Sequence, residues 1–301
     1  MHPSFARYSL GALLLLLTAC ATLPPPGDRD ATTNDLAEVT ADAMAAAAEF
    51  GKDQVLVVLD IDNTLLAMEQ GLGSDQWYEW QKEMADHDPC NPQYVGDRFA
   101  VQGAVFFASA MRPTQPDGPQ RIRELQNAGL PVIVITSRGV GYRLQTFREL
   151  RRNGFSFTAS GLPPAAVPQG DFTPPSGNRP ARYEDGVFLT TGQPKGAMLR
   201  DLLTLTGRAL PELIVVADDK QNNLDAVTTT FRPLGVAVHA WRYTREDATV
   251  ADFDPAAADR LWQALKPALQ AIQAALGPDN YDLATAVPPP ECNAAHGSTG
   301  P

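Results

Sequence analysis

The chain has 301 residues, 44% of them hydrophobic, which excludes global disorder and leaves room for one large domain with an insertion. Its formal net charge of −11 excludes a nucleic-acid backbone as the main partner, because that contact needs clustered Lys and Arg. A small phosphorylated ligand stays compatible, since a metal and a few local donors outweigh a global charge.

Arg7 precedes an apolar run, Leu10 to Leu17, that ends in Leu17-Thr18-Ala19-Cys20. A basic start, a short apolar core and small residues before a break read as a secretory signal over residues 1–20. The run is too short for a permanent membrane span. The LTAC ending resembles a bacterial lipobox, which implies that Cys20 carries lipid and begins the mature protein. The expected location is the cell envelope, with the lipid in the outer membrane and the domain facing the periplasm. Residues 21–34 are rich in Pro, Gly, Asp and Thr and read as a tether. Export places the other two cysteines, Cys90 and Cys292, where disulfides form. They either pair, tying the C-terminal tail to the segment around Cys90, or remain two thiols.

A helix capped by Thr33 or Asn34 is expected through Phe50, with Leu36, Val39, Met44 and Ala47 on its apolar side. Val55 to Leu59 reads as a buried strand that stops at Asp60 and Asp62. Helices with many aromatics follow, at 75–85 and 95–110; Trp77, Tyr78 and Trp80 read as packing residues before substrate platform. Another helix spans 120–128. Residues 131–136 form a second buried strand, closed by Ser137-Arg138-Gly139, and a helix runs from Gly141 to Arg152. Residues 155–192 are loop-rich, with a short strand at 155–158 and a hairpin around Glu184-Asp185-Gly186. Then come a helix from Lys195 to Leu205, a third buried strand from Leu213 to Ala217 ending at Asp218-Asp219, a helix over 221–231, a strand over 236–241 and a long amphipathic helix over 256–276.

Strands alternating with helices predict right-handed βαβ units: an α/β fold with a Rossmann-like parallel sheet covered on both faces. The core takes residues 35–66 and 113–286. Roughly seventy residues separate Thr64 from Thr136, more than one crossover needs, so 67–112 is expected to be a small helical cap. Residues 287–301 form a Pro-rich tail.

In such sheets ligands bind beyond the carboxyl ends of the strands, and Asp60, Asp62, Thr136, Asp218 and Asp219 all fall there. Four carboxylates on one rim repel unless a cation balances them, and the expected cation is hard and oxygen-loving, most often Mg²⁺. No Cys or His cluster favours zinc; His87 and His239 read as surface or packing residues.

Asp60-Ile61-Asp62-Asn63-Thr64-Leu65 resembles the first motif of haloacid-dehalogenase-type phosphatases, D-x-D-x-T-L. Thr136-Ser137-Arg138, Lys195 at the start of a helix and Asp218-Asp219 resemble the other three motifs, in order, across residues 55 to 241. ITSRG and ADDKQNN are similar to a sparsely characterised group of exported proteins and, less closely, to the class C acid phosphatases. The first motif of class C usually has Glu where this chain has Asn63. The resemblance implies that Asp60 is the nucleophile, forming an aspartyl-phosphate, and that Asp62 is the general acid and later the base. It implies metal ligation by Asp60, by Asp218 and by the main-chain carbonyl of Asp62, with Asp219 ligating or orienting a metal-bound water. Thr136 and Lys195 would hold phosphoryl oxygens, and Asn222 would support the metal site.

The expected activity is metal-dependent phosphomonoester hydrolysis on a small phosphorylated substrate. Carbon–halogen hydrolysis fits less well, because halide needs no general acid and Asp62 would be idle. A phosphotransferase and a non-catalytic binding lipoprotein of the same fold are the other readings.

Overall fold

The computed structural model describes residues 26–164 and 166–276. The expected signal segment with Cys20, the start of the expected tether and the C-terminal residues with Cys292 lie outside the described residues. Cys90 is disulfide-bonded. Among the described residues no helix is long and apolar enough to cross a membrane.

In chain order the strands are β1 (Arg29–Thr33), β2 (Val55–Leu59), β3 (Leu66–Met68), β4 (Met111–Pro113), β5 (Val132–Thr136), β6 (Arg182–Glu184), β7 (Val187–Leu189), β8 (Leu213–Asp218) and β9 (Ala237–Tyr243). The helices are α1 (Leu36–Phe50), α2 (Asp75–His87), α3 (Arg98–Ala108), α4 (Gly118–Asn127), α5 (Arg143–Arg152), α6 (Lys195–Thr206), α7 (Gln221–Phe231), α8 (Asp247–Ala251) and α9 (Pro255–Leu276). Seven strands form one sheet in the order β1-β9-β8-β2-β5-β7-β6, parallel except for β6 against β7. This is a Rossmann-like α/β fold.

Every residue of β2, β5 and β8 is buried, because helices cover both faces. Side-chain alternation divides each strand between two cores. Val55, Val57, Leu59, Val132, Val134 and Val215 join α1 and α4 on one face. Leu56, Val58, Ile133, Ile135, Ile214 and Val216 join α6 and α7 on the other. The helices on this second face touch closely: a Cβ on Gly196 would lie 2.1 Å from the carbonyl oxygen of Ala226.

β3 and β4 pair antiparallel and bracket the inserted α2 and α3. The insertion has its own apolar cluster around Leu72, Trp77, Val101 and Val105, and α9 closes it with Ala258, Trp262 and Leu269. The last long helix therefore packs on the insertion. Trp77 is buried there and Trp80 meets Phe253 edge-on, as packing residues.

Three local expectations need correction. Residues 29–33, expected within the tether, form β1, paired parallel to β9 from Arg29↔His239 to Thr33↔Tyr243. This edge strand is polar, so it carries no apolar pattern, and backbone hydrogen bonds hold it. The α1 cap is Asp35, whose carboxylate accepts from the Ala37 N–H at 2.9 Å, while Thr33 accepts from the Asp35 N–H. Residues 155–158 form no strand: Phe155 and Phe157 point their rings into one core and stack 6.4 Å apart, without joining the ladder. The expected hairpin is present, with Asp185 (φ 48°) and Gly186 (φ 77°) both left-handed, as a two-residue turn between twisted strands requires.

Candidate metal and phosphoryl site

From β2 the chain order runs outward through β5 and β7, then returns to β8 on the other side of β2. The switch point lies between β2 and β8, where crossovers leave in opposite directions and open a crevice. The two strands are in register, Leu59 beside Ala217, so Asp60 and Asp218 emerge side by side. The Asp60 N–H donates to the Ala217 carbonyl at 3.0 Å.

Asp60, Asp218 and Asp219 each offer a carboxylate oxygen, and these oxygens lie within 4.8 Å of one another. Asp60 and Asp218 are buried. Lys195, the first residue of α6 and equally buried, stands between them: its Nζ is 2.7 Å from Asp60 Oδ1 and 2.6 Å from Asp218 Oδ2. One ammonium thus bridges two of the three carboxylates. Burial, opposed by Lys195 and reinforced by Asp218 and Asp62, pushes the Asp60 carboxyl up to about 7. Burial and the charges of Asp60 and Asp218 push Asp219 up to about 9. Burial acts downward on Lys195, but the carboxylates win and hold it above its ordinary value. The donor set is all oxygen and carries excess negative charge, which fits a hard divalent cation such as Mg²⁺.

The turn after β2 is tight. Leu65 and Leu66 donate to the Ile61 carbonyl, and Asn63 adopts φ 57°. Asn is among the few L-residues that tolerate this left-handed conformation. Its Nδ2 reaches Asp219 Oδ2 at 3.5 Å.

Asp62 stands apart from the trio. Its carboxylate is held by Arg138, with Nε to Oδ2 at 2.9 Å and Nη2 to Oδ1 at 2.8 Å. Burial raises the Asp62 carboxyl, but the guanidinium outweighs it and keeps the group below its ordinary value. Arg138 is itself fixed by Thr146 Oγ1 at 3.1 Å and lies 4.4 Å over the ring of Phe106. Thr136 is fully buried, and its hydroxyl accepts the Arg138 N–H at 3.2 Å, bracing the turn that carries Arg138.

Four contributors escaped sequence reasoning or were misplaced by it. Arg138 was visible within the Thr136-Ser137-Arg138 motif but was given no role. Lys220, after Asp218-Asp219, bridges to Asp75 at 2.9 Å and Glu79 at 2.7 Å on α2, tying the insertion to the rim. Asn223, not Asn222, supports Asp218: its Nδ2 donates to Oδ1 at 2.9 Å, alongside the Lys220 N–H at 2.9 Å. Successive residues on α7 point about 100° apart, so Asn222, which lines the cavity beside Asn223, does not reach Asp218.

That cavity, about 410 Å³, lies between the rim and the insertion. Asp62, Arg138 and Asn222 line its core side, and Tyr78, Phe99 and Phe106 its insertion side. Of the four strand-end aspartates, Asp62 alone lines it.

The profile of one family, described as protein of unknown function (DUF2608), matches residues 32–274. No curated protein matches the chain.

Proposed function

Because the chain belongs to the DUF2608 family, a family of proteins of unknown function, we propose its activity from the site: metal-dependent phosphomonoester hydrolysis through an aspartyl-phosphate. One observation carries this reading. Three carboxylates and one ammonium converge at the topological switch point, directly behind a cavity large enough for a small organic phosphate. The order of the four motifs, which resembles that of haloacid-dehalogenase-type phosphatases, supports it.

Asp60, Asp218 and Asp219 would hold Mg²⁺, which would neutralise phosphoryl oxygens and align them with the nucleophile. A carboxylate oxygen of Asp60 attacks phosphorus as the bond from phosphorus to the ester oxygen breaks. Lys195 balances charge on the phosphoryl oxygens. Asp62 gives its proton to the departing oxygen, then takes one from the water that attacks the aspartyl-phosphate, releasing phosphate. The Arg138 fork favours ionised Asp62, which suits the second step; the first requires Asp62 to exchange that fork for a proton. Arg7, the apolar run and the LTAC ending at Cys20 support a lipid-anchored protein of the cell envelope.

The self-neutralised contacts, Lys195 on Asp60 and Asp218 and Arg138 on Asp62, also suit a binding protein that turns nothing over. Protein lacking residues 1–20, offered a broad panel of phosphate esters with and without Mg²⁺, separates the two. Phosphate release that chelation removes and Asp60→Asn abolishes, with the circular-dichroism spectrum unchanged, is the expected result. Absence of turnover across the panel, or a near-normal rate in Asp60→Asn, would overturn the proposal.

A further inference from the structure

The loop that leads into β6 puts one cation on the cavity wall that the chemistry above does not use. Arg179 lines the cavity together with Thr191 and Gly192, three residues before Lys195. The other three cations of that wall are paired with carboxylates: Arg138 with Asp62, Lys220 with Asp75 and Glu79, and Lys82 with Asp86. Among the described residues no carboxylate pairs with Arg179. Its guanidinium makes one hydrogen bond, from Nη2 to the Gly192 carbonyl at 3.0 Å.

The chain invests buried polar groups in placing this residue. Gln193 is buried, and its Oε1 accepts the N–H groups of Asn178 at 2.8 Å and Arg179 at 3.1 Å. Its Nε2 donates to the carbonyls of Arg179 at 3.0 Å and Thr190 at 2.8 Å. Gly177 lets the turn approach: a Cβ there would lie 2.3 Å from Gln193 Oε1. Upstream, the buried Asp201 of α6 accepts from the Ser176 N–H at 2.6 Å and its hydroxyl at 2.8 Å. The Arg179 backbone is therefore indexed to α6, whose first residue is Lys195. The insertion side of the cavity is aromatic, with Tyr78 and Phe99 5.5 Å apart and the Arg98 guanidinium over one face of each ring at 4.9 and 5.0 Å.

We infer that Arg179 is a specificity-determining residue that reads a second anionic group on the substrate. The substrate class is a phosphomonoester whose planar body lies along Tyr78 and Phe99 and carries a carboxylate or a second phosphate toward Arg179. A planar, permanently charged fork on an ordered backbone is suited to such an oxyanion. The inference rests on the phosphatase reading of the site.

The test compares three esters with the protein lacking residues 1–20 in Mg²⁺: phenyl phosphate, 4-carboxyphenyl phosphate and 1,4-phenylene bisphosphate. The expected result is a preference of about tenfold in kcat/KM, carried by KM, for at least one of the doubly anionic esters. Which one is preferred tells carboxylate from phosphate. Arg179→Gln should abolish the preference and Arg179→Lys restore part of it, with melting temperatures confirming that both variants fold. Hydrolysis of all three esters without preference, or a preference that survives in Arg179→Gln, overturns the role of Arg179 and leaves the phosphatase reading standing. Hydrolysis of none of them, nor of any ester in the broader panel, overturns both.

Discussion

Arg138 grips Asp62 with two parallel hydrogen bonds while its own guanidinium lies over Phe106 and bonds Thr146. The one strand-end carboxylate that lines the cavity is thus aimed by a residue that is almost wholly buried. Arg138→Met should cost about 1–2 kcal/mol in urea unfolding, because the partly buried Asp62 loses its counter-charge. Asp62→Asn in the same background should recover part of that loss. A double-mutant cycle with a coupling below about 0.5 kcal/mol would show that the fork contributes little.

Lys195 is the cation of the trio as it stands. Lys195→Met leaves Asp60 and Asp218 buried without a counter-charge and should destabilise the fold by about 3–5 kcal/mol. A divalent ion has more to neutralise in that variant, so millimolar Mg²⁺ should raise its melting temperature more than that of the wild type. Identical melting curves with Mg²⁺ and with chelator, in both proteins, would count against a cation site.

Gly196 marks the contact between α6 and α7. A Cβ there would lie 2.1 Å from a backbone oxygen and 2.4 Å from Thr230 Oγ1, so the two helices must separate. Gly196→Ala should cost about 2–3 kcal/mol by denaturant titration despite the better helix propensity of Ala. A stabilised variant would mean that α6 shifts freely, and with it Lys195.

Glu184 gives a pH signature away from the site. Hydrogen bonds from Arg143, opposed by partial burial and assisted by Arg182, hold its carboxyl down to about 2, against an ordinary 4.5. The folded-state value is depressed, so the unfolded chain takes the proton first as pH falls. The stabilisation is complete above about 4.5 and is lost as pH drops through about 2. Allowing for partial exposure, it amounts to about 1–2 kcal/mol. Glu184→Gln should flatten that part of the stability profile; an unchanged profile between pH 5 and 2 would refute the assignment.

Much of this molecule was legible in one dimension. β2, β5 and β8 are unbroken apolar runs because both faces of the sheet are covered, and burial on both sides leaves that mark in composition. The strand ends then placed Asp60, Asp62, Asp218 and Asp219 on one rim before any coordinates. β1 left no such mark, since an edge strand needs only its backbone to pair. Phe155 and Phe157 alternate like a strand but answer to core packing.

The amino-acid order by itself determined which carboxylates reach the rim, because strand periodicity is a property of near neighbours along the chain. Tertiary structure alone decided their partners: that Arg138 takes Asp62, that Lys195 divides itself between Asp60 and Asp218, and that Asn223 rather than Asn222 turns inward. Those choices depend on rotations about helix axes and on loops from separate strands converging on one rim of the sheet, and no local pattern encodes an ångström-scale distance between them.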